Sequence, residues 1–386
     1  MKRAERGGNC RLNRASADHT SRRLGGVVAA LLLCAVLLGG CAIPRSTRPV
    51  LKIGLIAPFE GLGRPLGYEV LYAVKLAVRE RNDLGGVGGY GVALVALNDD
   101  DDPDVSARQA LKMDVDREVV GVVGPLGRAT GRAVAQPLSD AGLAWIAVAS
   151  VPDEVVSGYR AAFRLYASDT ALAAAAIGQA MAADLNGGSQ GIVVGSVGEF
   201  GEPLRRAAER LNVYRSLETM SARPSSAVAL AGNAEQVAEE LILLGGTRGM
   251  VVAGPEAGRA VVTQRAAGMA EGLVWVGSLS PADPTTLPEA FVSGYRELAG
   301  GPPGPFAVLA YDATNMLLDA IQLDITQEGK PTRLGVMAAL PAVSTEGLSG
   351  ELRFDAGGSW LDAPVHSYRV AGDDLFAERL PSARLE

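Results

Sequence analysis

The stretch Gly121–Ser150, GVVGPLGRATGRAVAQPLSDAGLAWIAVAS, constrains the fold more than any other part of the chain. Its two apolar runs, Gly121–Val123 and Ala144–Ala149, lack the alternation of a strand with one wet face. Strands buried on both faces belong to parallel sheets. Gly124-Pro125 breaks the first run, a polar segment of helical length follows, and Gly142 ends it. The order strand, loop, helix, strand leaves both strand ends pointing the same way. In open sheets of this kind ligands lie beyond the carboxyl ends of the strands. The loops Gly124–Thr130 and Ser150–Asp153, which carry Arg128 and Ser150, are therefore the places where function is expected.

The same rhythm extends in both directions. Leu51–Pro58 and Val92–Leu97 read as strands, with an apolar helix face at Val70, Val74, Ala77 and Val78 between them. Asp102-Pro103 supplies an N-cap and a first-turn proline for a helix running to about Arg117. After a short extended Arg164–Tyr166, Ser168 or Asp169 caps an Ala-rich helix to about Leu185. Strands at Gly191–Gly195, Gly249–Ala253 and Leu273–Gly277 then alternate with helices at Glu202–Leu211, around Val237, Leu241 and Leu244, and at Arg259–Met269. Phe306–Asp324 is a strong helix, and the chain closes in β-like segments at Gly350–Phe354 and Val365–Val370. The reading is α/β, with two doubly wound Rossmann-like lobes.

The first forty residues read as a leader. Met1–Arg23 carries seven Lys or Arg against two acids, and the 17 residues Leu24–Gly40 carry no charge. Seventeen are short for a membrane span, which needs about 20, but suit the apolar core of a signal peptide. The segment ends in Leu38-Gly39-Gly40-Cys41, which resembles the lipobox of bacterial lipoproteins and implies lipidation at Cys41. Residues 41–50 would then be a tether. Taking 7 bases and 2 acids from 36 and 43 leaves 29 and 41, a net charge of −12. So acidic a mature chain argues against nucleic acid as a partner and against anionic membrane contact beyond the anchor. It would also hold no pair of cysteines for a disulfide, leaving stability to packed cores.

The inventory is poor in catalytic groups. His366 is the one histidine left after the leader, which excludes Cys–His catalysis and His/Cys metal sites. No G-x-S-x-G elbow occurs. Gly86–Gly91 matches G-x-G-x-x-G but leads from a helix into a strand, the reverse of what a dinucleotide needs, and Gly61–Gly67 is one residue too long. Asp99–Asp102 lacks the spacing of a calcium loop and reads as a solvated turn with one capping Asp. The expectation is no enzyme, no cofactor and no metal. Arg128 precedes a helix N-terminus that favours anions, and its planar fork suits a carboxylate. Ligand contact and an interlobe salt bridge to Glu60 or Glu256 are both open readings of it.

The stretches KIGLIAPFEG, NDDDDPDVSARQA, GPLGRATGRAVAQPLSDAGLAWIAVAS, PFAVLAYDATNMLLDAI and GLSGELRFDAGGSW, in this order behind a lipobox, resemble the type 1 periplasmic binding proteins. Within these they resemble the leucine/isoleucine/valine-binding branch that serves ABC importers. The resemblance implies two lobes joined by three crossings, residues 51–166 with 284–345 and residues 167–283 with 346–386, closing on a ligand in the cleft between them. It implies an extracytoplasmic, lipid-anchored protein that delivers an amino acid or small carboxylate to an ABC permease. The same fold also serves sensory lipoproteins that act on a membrane receptor. By position, Arg128 stands where the branch has a ligand-binding Ser, and Ala149 and Ser150 match a small residue and a Thr. Phe200 replaces a Tyr before Gly201-Glu202. The Glu that holds a ligand's ammonium has no counterpart, since Gly277-Ser278-Leu279-Ser280 lies there; either Glu60, Glu199 or Glu256 replaces it or the ligand is not an α-amino acid.

Overall fold

The computed structural model describes residues 48–184, 191–195, 198–215, 227–247 and 250–382. The expected leader, the lipidated Cys41 and most of the tether lie outside them. From Pro49 onward the chain forms one unit built on two main sheets.

The first sheet contains β1 (Val50–Ala57), β2 (Gly91–Asn98), β3 (Val119–Val123), β4 (Ala144–Ala147) and β5 (Ala162–Arg164). All are parallel, in the order β2-β1-β3-β4-β5. Their unalternated runs are buried on both faces. Ile53 and Leu55 join one core with α1 (Arg64–Asp83) and α10 (Pro305–Glu328). Ile56, Val122 and Trp145 join the other, with α2 (Pro103–Val115) and α3 (Arg128–Asp140). The caps act as their residue types suggest. Asp102 accepts the Val105 amide at 2.8 Å to start α2, and Gly142, at φ +66, turns the chain out of α3.

The second sheet has the order β14-β13-β10-β9-β8-β6-β7. Its parallel strands are β6 (Ile192–Val194), β7 (Tyr214–Arg215), β8 (Ala227–Leu230), β9 (Val251–Ala253) and β10 (Val274–Gly277). Then β13 (His366–Ala371) and β14 (Asp374–Leu380) add an antiparallel edge. Helix α5 (Asp169–Asp184), capped by Ser168 Oγ on the Ala171 amide at 3.2 Å, packs on β8, β9 and β10. Helices α6 (Gly201–Arg210) and α7 (Ala234–Leu244) complete the winding.

The connections run side by side. Beyond β5, the Ala167 amide donates to Ser278 Oγ at 2.8 Å, just past β10. The Arg164 amide donates to Gly358 O at 2.9 Å, and the Trp360 amide to Arg164 O at 3.0 Å. After β10 the chain returns to the first sheet through α9 (Glu289–Ala299), α10 and α11 (Arg333–Ala339), which pack on α1, β3 and β4. The hairpin β11 (Ser344–Gly347) and β12 (Gly350–Arg353) stays there, because Asp312 of α10 accepts the Leu348 and Ser349 amides, each at 2.8 Å.

Several elements depart from expectation. The helix expected over Arg259–Met269 shortens to α8 (Val261–Ala266), preceded by a 3-10 turn at Pro255–Gly258 and followed by a second at Ala267–Ala270, with Ala267 at φ +45. Leu244 is 38% exposed, so the apolar face of α7 ends at Leu241. The acidic turn is not wholly solvated. Asp99 is fully buried, accepting the Asp101 amide at 3.1 Å and the Ser106 hydroxyl at 3.4 Å.

Candidate functional site in the interlobe cleft

The carboxyl ends of the parallel strands in both sheets face one cleft. Lobe 1 contributes the loops after β1, β2 and β3, and lobe 2 those after β6, β8 and β9. Two cavities lie in it. The larger, about 310 Å³, is walled by Leu66, Glu69 and Phe306 on one side and by Glu235, Val261 and Phe376 on the other. The smaller, about 190 Å³, opens on Gly127–Thr130 and faces Glu199, Gln236 and Glu256. Asp101 and Asn233 line both.

Arg128 begins α3, with Gly127 as N-cap and the Thr130 hydroxyl accepting the Gly127 amide at 3.1 Å. Its side chain borders the smaller cavity but is almost wholly buried. Nη1 and Nη2 grip Asp169 Oδ1 and Oδ2 at 2.7 and 3.0 Å, a bidentate pair between side chains that are each 5% exposed. Nη1 also donates to Ser150 Oγ at 2.7 Å, and the guanidinium carbon lies 5.2 Å from the centre of the Phe200 ring. The fork expected to face a ligand carboxylate is thus filled by a carboxylate of the protein. That partner is Asp169, not Glu60 or Glu256. Asp169 in turn belongs to a network at the start of α5. Asp153 accepts its amide at 2.9 Å, and Arg164 pairs with Asp153 at 2.8 Å and holds it below the usual carboxylate range.

The other expected residues divide. Ser150 is 2% exposed and engaged by Arg128, and Ala149 is buried beside it. Phe200 is 1% exposed, lying under Arg128 and against Gly254 rather than over either cavity. Glu60 is exposed and lines neither cavity. Glu199 and Glu256 do line the smaller one. Glu256, 6% exposed, pairs at 3.2 Å with Arg259, and burial raises its carboxyl while the guanidiniums of Arg259 and Arg128 draw it back.

Sequence reasoning missed Arg259 altogether. From lobe 2 it reaches Asp101 Oδ2 of lobe 1 at 2.9 Å and donates to the Leu126 carbonyl. Its one local signal is the Glu256-x-x-Arg259 spacing. Glu69 was missed as well. It accepts the Ala307 amide at 2.9 Å at the start of α10, and burial pushes its carboxyl up to about 7.

These shifts set a pH dependence. Glu69, Asp99 and Asp312 have carboxyls raised by burial to about 7, 6 and 6. A raised acid stabilises the fold below its unfolded value, and that stability is lost as pH rises through the folded value. His366, lowered by burial to about 4, works the other way as pH falls below its ordinary value. With three groups against one, the thermal midpoint is expected to be higher at about pH 5.5 than at about pH 8, and Glu69→Gln to remove much of the difference. Equal slopes for wild type and variant would refute the role given to Glu69.

Among the described residues no helix is long and apolar enough to cross a membrane, and no cluster of His, Cys, Asp and Glu could hold a metal. A comparison with curated protein sequences gives no significant match. Solved structures do match. The branched-chain amino acid transporter substrate-binding protein LivJ of Streptococcus pneumoniae, in complex with isoleucine, superposes with a TM-score of 0.70 at 18% identity, over 86% of this chain and 99% of that one. The leucine-binding protein LivK of Thermotoga maritima gives 0.71 at 21%, over 86% and 98%. A solute-binding protein of an ABC transporter from R. palustris, in complex with benzoate, gives 0.65 at 16%, over 86% and 96%. At these identities the likeness is one of fold, two α/β lobes about a cleft. The sequence model described as "Periplasmic binding protein" matches residues 50–211 and 224–374, nearly all of the folded part. The chain belongs to the periplasmic binding protein family, in its type 1 form.

Proposed function

We propose that this chain is the solute-binding component of an ABC importer, holding a small organic ligand between its lobes and releasing it to a membrane permease. The observation that supports this most is the 310 Å³ cavity, which lies at the carboxyl ends of the parallel strands of both sheets and has a wall from each lobe. A ligand there would bury apolar surface on Leu66 and Phe306 on one side and Val261 and Phe376 on the other. Its binding would thereby favour the closed arrangement of lobes. The proposed contact set is Leu66, Glu69, Phe306, Glu235, Arg259 and Val261, with Arg128, Ala149, Ser150 and Phe200 shaping the cleft floor behind it.

Lobe 1 is proposed to comprise residues 51–166 with 284–360, and lobe 2 residues 167–283 with 366–382. The third crossing then falls between Trp360 and His366 rather than at 345, because the β11–β12 hairpin packs on α10. Export and a lipid anchor at Cys41 follow from the leader's composition and the LGGC segment. Binding and release need no bond chemistry, and the proposal assigns no enzymatic activity.

The test is thermal unfolding against amino acids, aliphatic and aromatic carboxylates, amines and amides. A ligand at 100 times its Kd should stabilise the protein by about 2.7 kcal/mol. A midpoint that no compound moves, in a panel covering these classes, would count against the reading. Labelling with radioactive palmitate, expected in the wild type and lost in Cys41→Ser, tests the anchor.

A further inference from the structure

Glu256 stands on the 3-10 turn Pro255–Gly258 of lobe 2 and Arg259 directly follows it, with Arg259 reaching into lobe 1. The carboxylate of Glu256 lines the smaller cavity together with Gly127–Thr130 and faces the first turn of α3, where a helix offers unpaired amides to an anion. The guanidinium of Arg259 meets the Asp101 carboxylate at 2.9 Å and the Leu126 carbonyl, a pair of acceptors suited to a cation. Lobe 1 thus presents an anion site and a cation site side by side on the β3–α3 and β2–α2 loops. Together they have the chemistry of a zwitterion. Arg259 fills the cation site and Glu256 faces the anion site, two residues of lobe 2 that are 8% and 6% exposed and lie 3.2 Å apart.

We propose that Glu256 and Arg259 act as a tethered zwitterion, which occupies the place of a free α-amino acid in the cleft and clasps the lobes together through protein groups. The pair rejects amino acids in the way that specificity often requires, by filling the site against the competitor. It also explains why the cleft is two cavities. The Asp101–Arg259–Glu256 bridge is the wall between them, with Asp101 facing both. The ligand's body is left the larger, more apolar cavity beside the bridge. This inference rests on the binding-protein reading of the cleft and narrows its ligand.

The experiment is calorimetric titration of the full chain with L-leucine and L-isoleucine, in the wild type and in Glu256→Ala/Arg259→Ala, together with small-angle scattering of each. The wild type is expected to bind neither amino acid at millimolar concentration. The double variant is expected to scatter as a more open particle and to bind at least one of them at least about tenfold more tightly than wild type, or about 1.4 kcal/mol. Arg259→Gln, which keeps side-chain length without charge, is the milder form and is expected to open the lobes on its own. The proposal is overturned if the wild type binds leucine as tightly as the double variant. It is equally overturned if the double variant opens but takes neither amino acid, or if the variants scatter like the wild type. Failure of the binding-protein reading has a different signature, since then no compound of the wider panel shifts the midpoint of any form.

Discussion

Arg128→Ala is expected to lower the stability of the protein by about 3–5 kcal/mol, the usual cost of removing one partner from a buried ion pair. Asp169 is 4% exposed, and without the guanidinium its remaining contact is the Asp153 amide at 3.3 Å, next to a second carboxylate. The substitution also empties the space over the Phe200 ring and releases the Ser150 hydroxyl. Arg128→Lys keeps the charge but not the two-pronged geometry, and should lose less. Removing both charges in Arg128→Met/Asp169→Leu should recover part of the loss, because an apolar pair carries no desolvation penalty. Urea denaturation checks each form. A loss under about 1 kcal/mol for Arg128→Ala, or a double variant no better than the single, would mean the pair is not sealed from water as its burial indicates.

The frame of lobe 1 is legible because its strands are long apolar runs between strong punctuation. Lobe 2 is harder to read. Its parallel strands are only two to four residues long, and β8, Ala-Val-Ala-Leu, is too small and short to separate from a helix by pattern. Strand β14 goes unnoticed because, as an outer strand, it buries only Leu375 well and carries Asp374, Glu378 and Arg379 among its exposed positions. Helix α9 is obscured by a glycine, Gly294, whose place is set by close approach to Leu76 of α1.

Site residues divide along another line. Arg128 can be picked out locally, from its place before a helix, but its partner lies 41 residues away across the lobes. Arg259 meets Asp101 across 158 residues, and no local pattern encodes that contact. The acidic turn misleads for a related reason. Four consecutive aspartates invite one solvated reading, yet each has its own role: Asp99 is buried, Asp100 accepts from Asn98, Asp101 takes Arg259, and Asp102 caps α2. Sequence period predicts which face a residue is on. It does not predict what the other lobe brings to that face.

Trp275→Ala is expected to cost about 3–5 kcal/mol and, in addition, to loosen the cleft. The indole is fully buried on β10, tilted against Tyr368 of β13 and edge-to-face with Phe376 of β14, each with ring centres 5.2 Å apart, and its N–H donates to Leu375 O at 2.7 Å. It also supports the turn that carries Glu256 and leads into Arg259, since a Cβ added to Gly258 would come within 2.6 Å of the ring. Truncation therefore leaves a void beneath that turn as well as an unpaired buried carbonyl. Trp145→Ala is the control, because Trp145 is equally buried but lies in the first sheet's α2–α3 core. Both variants should unfold at lower urea, but only Trp275→Ala should expose the Arg259 peptide bond to brief trypsin digestion under native conditions. Trp275→Phe, which keeps most of the ring area, should lose about 1–3 kcal/mol for the missing hydrogen bond and should resist cleavage at Arg259. Equal cleavage after Arg259 in the two alanine variants would place the weakness in global opening. The indole would then be a core residue of lobe 2 with no particular hold on the cleft.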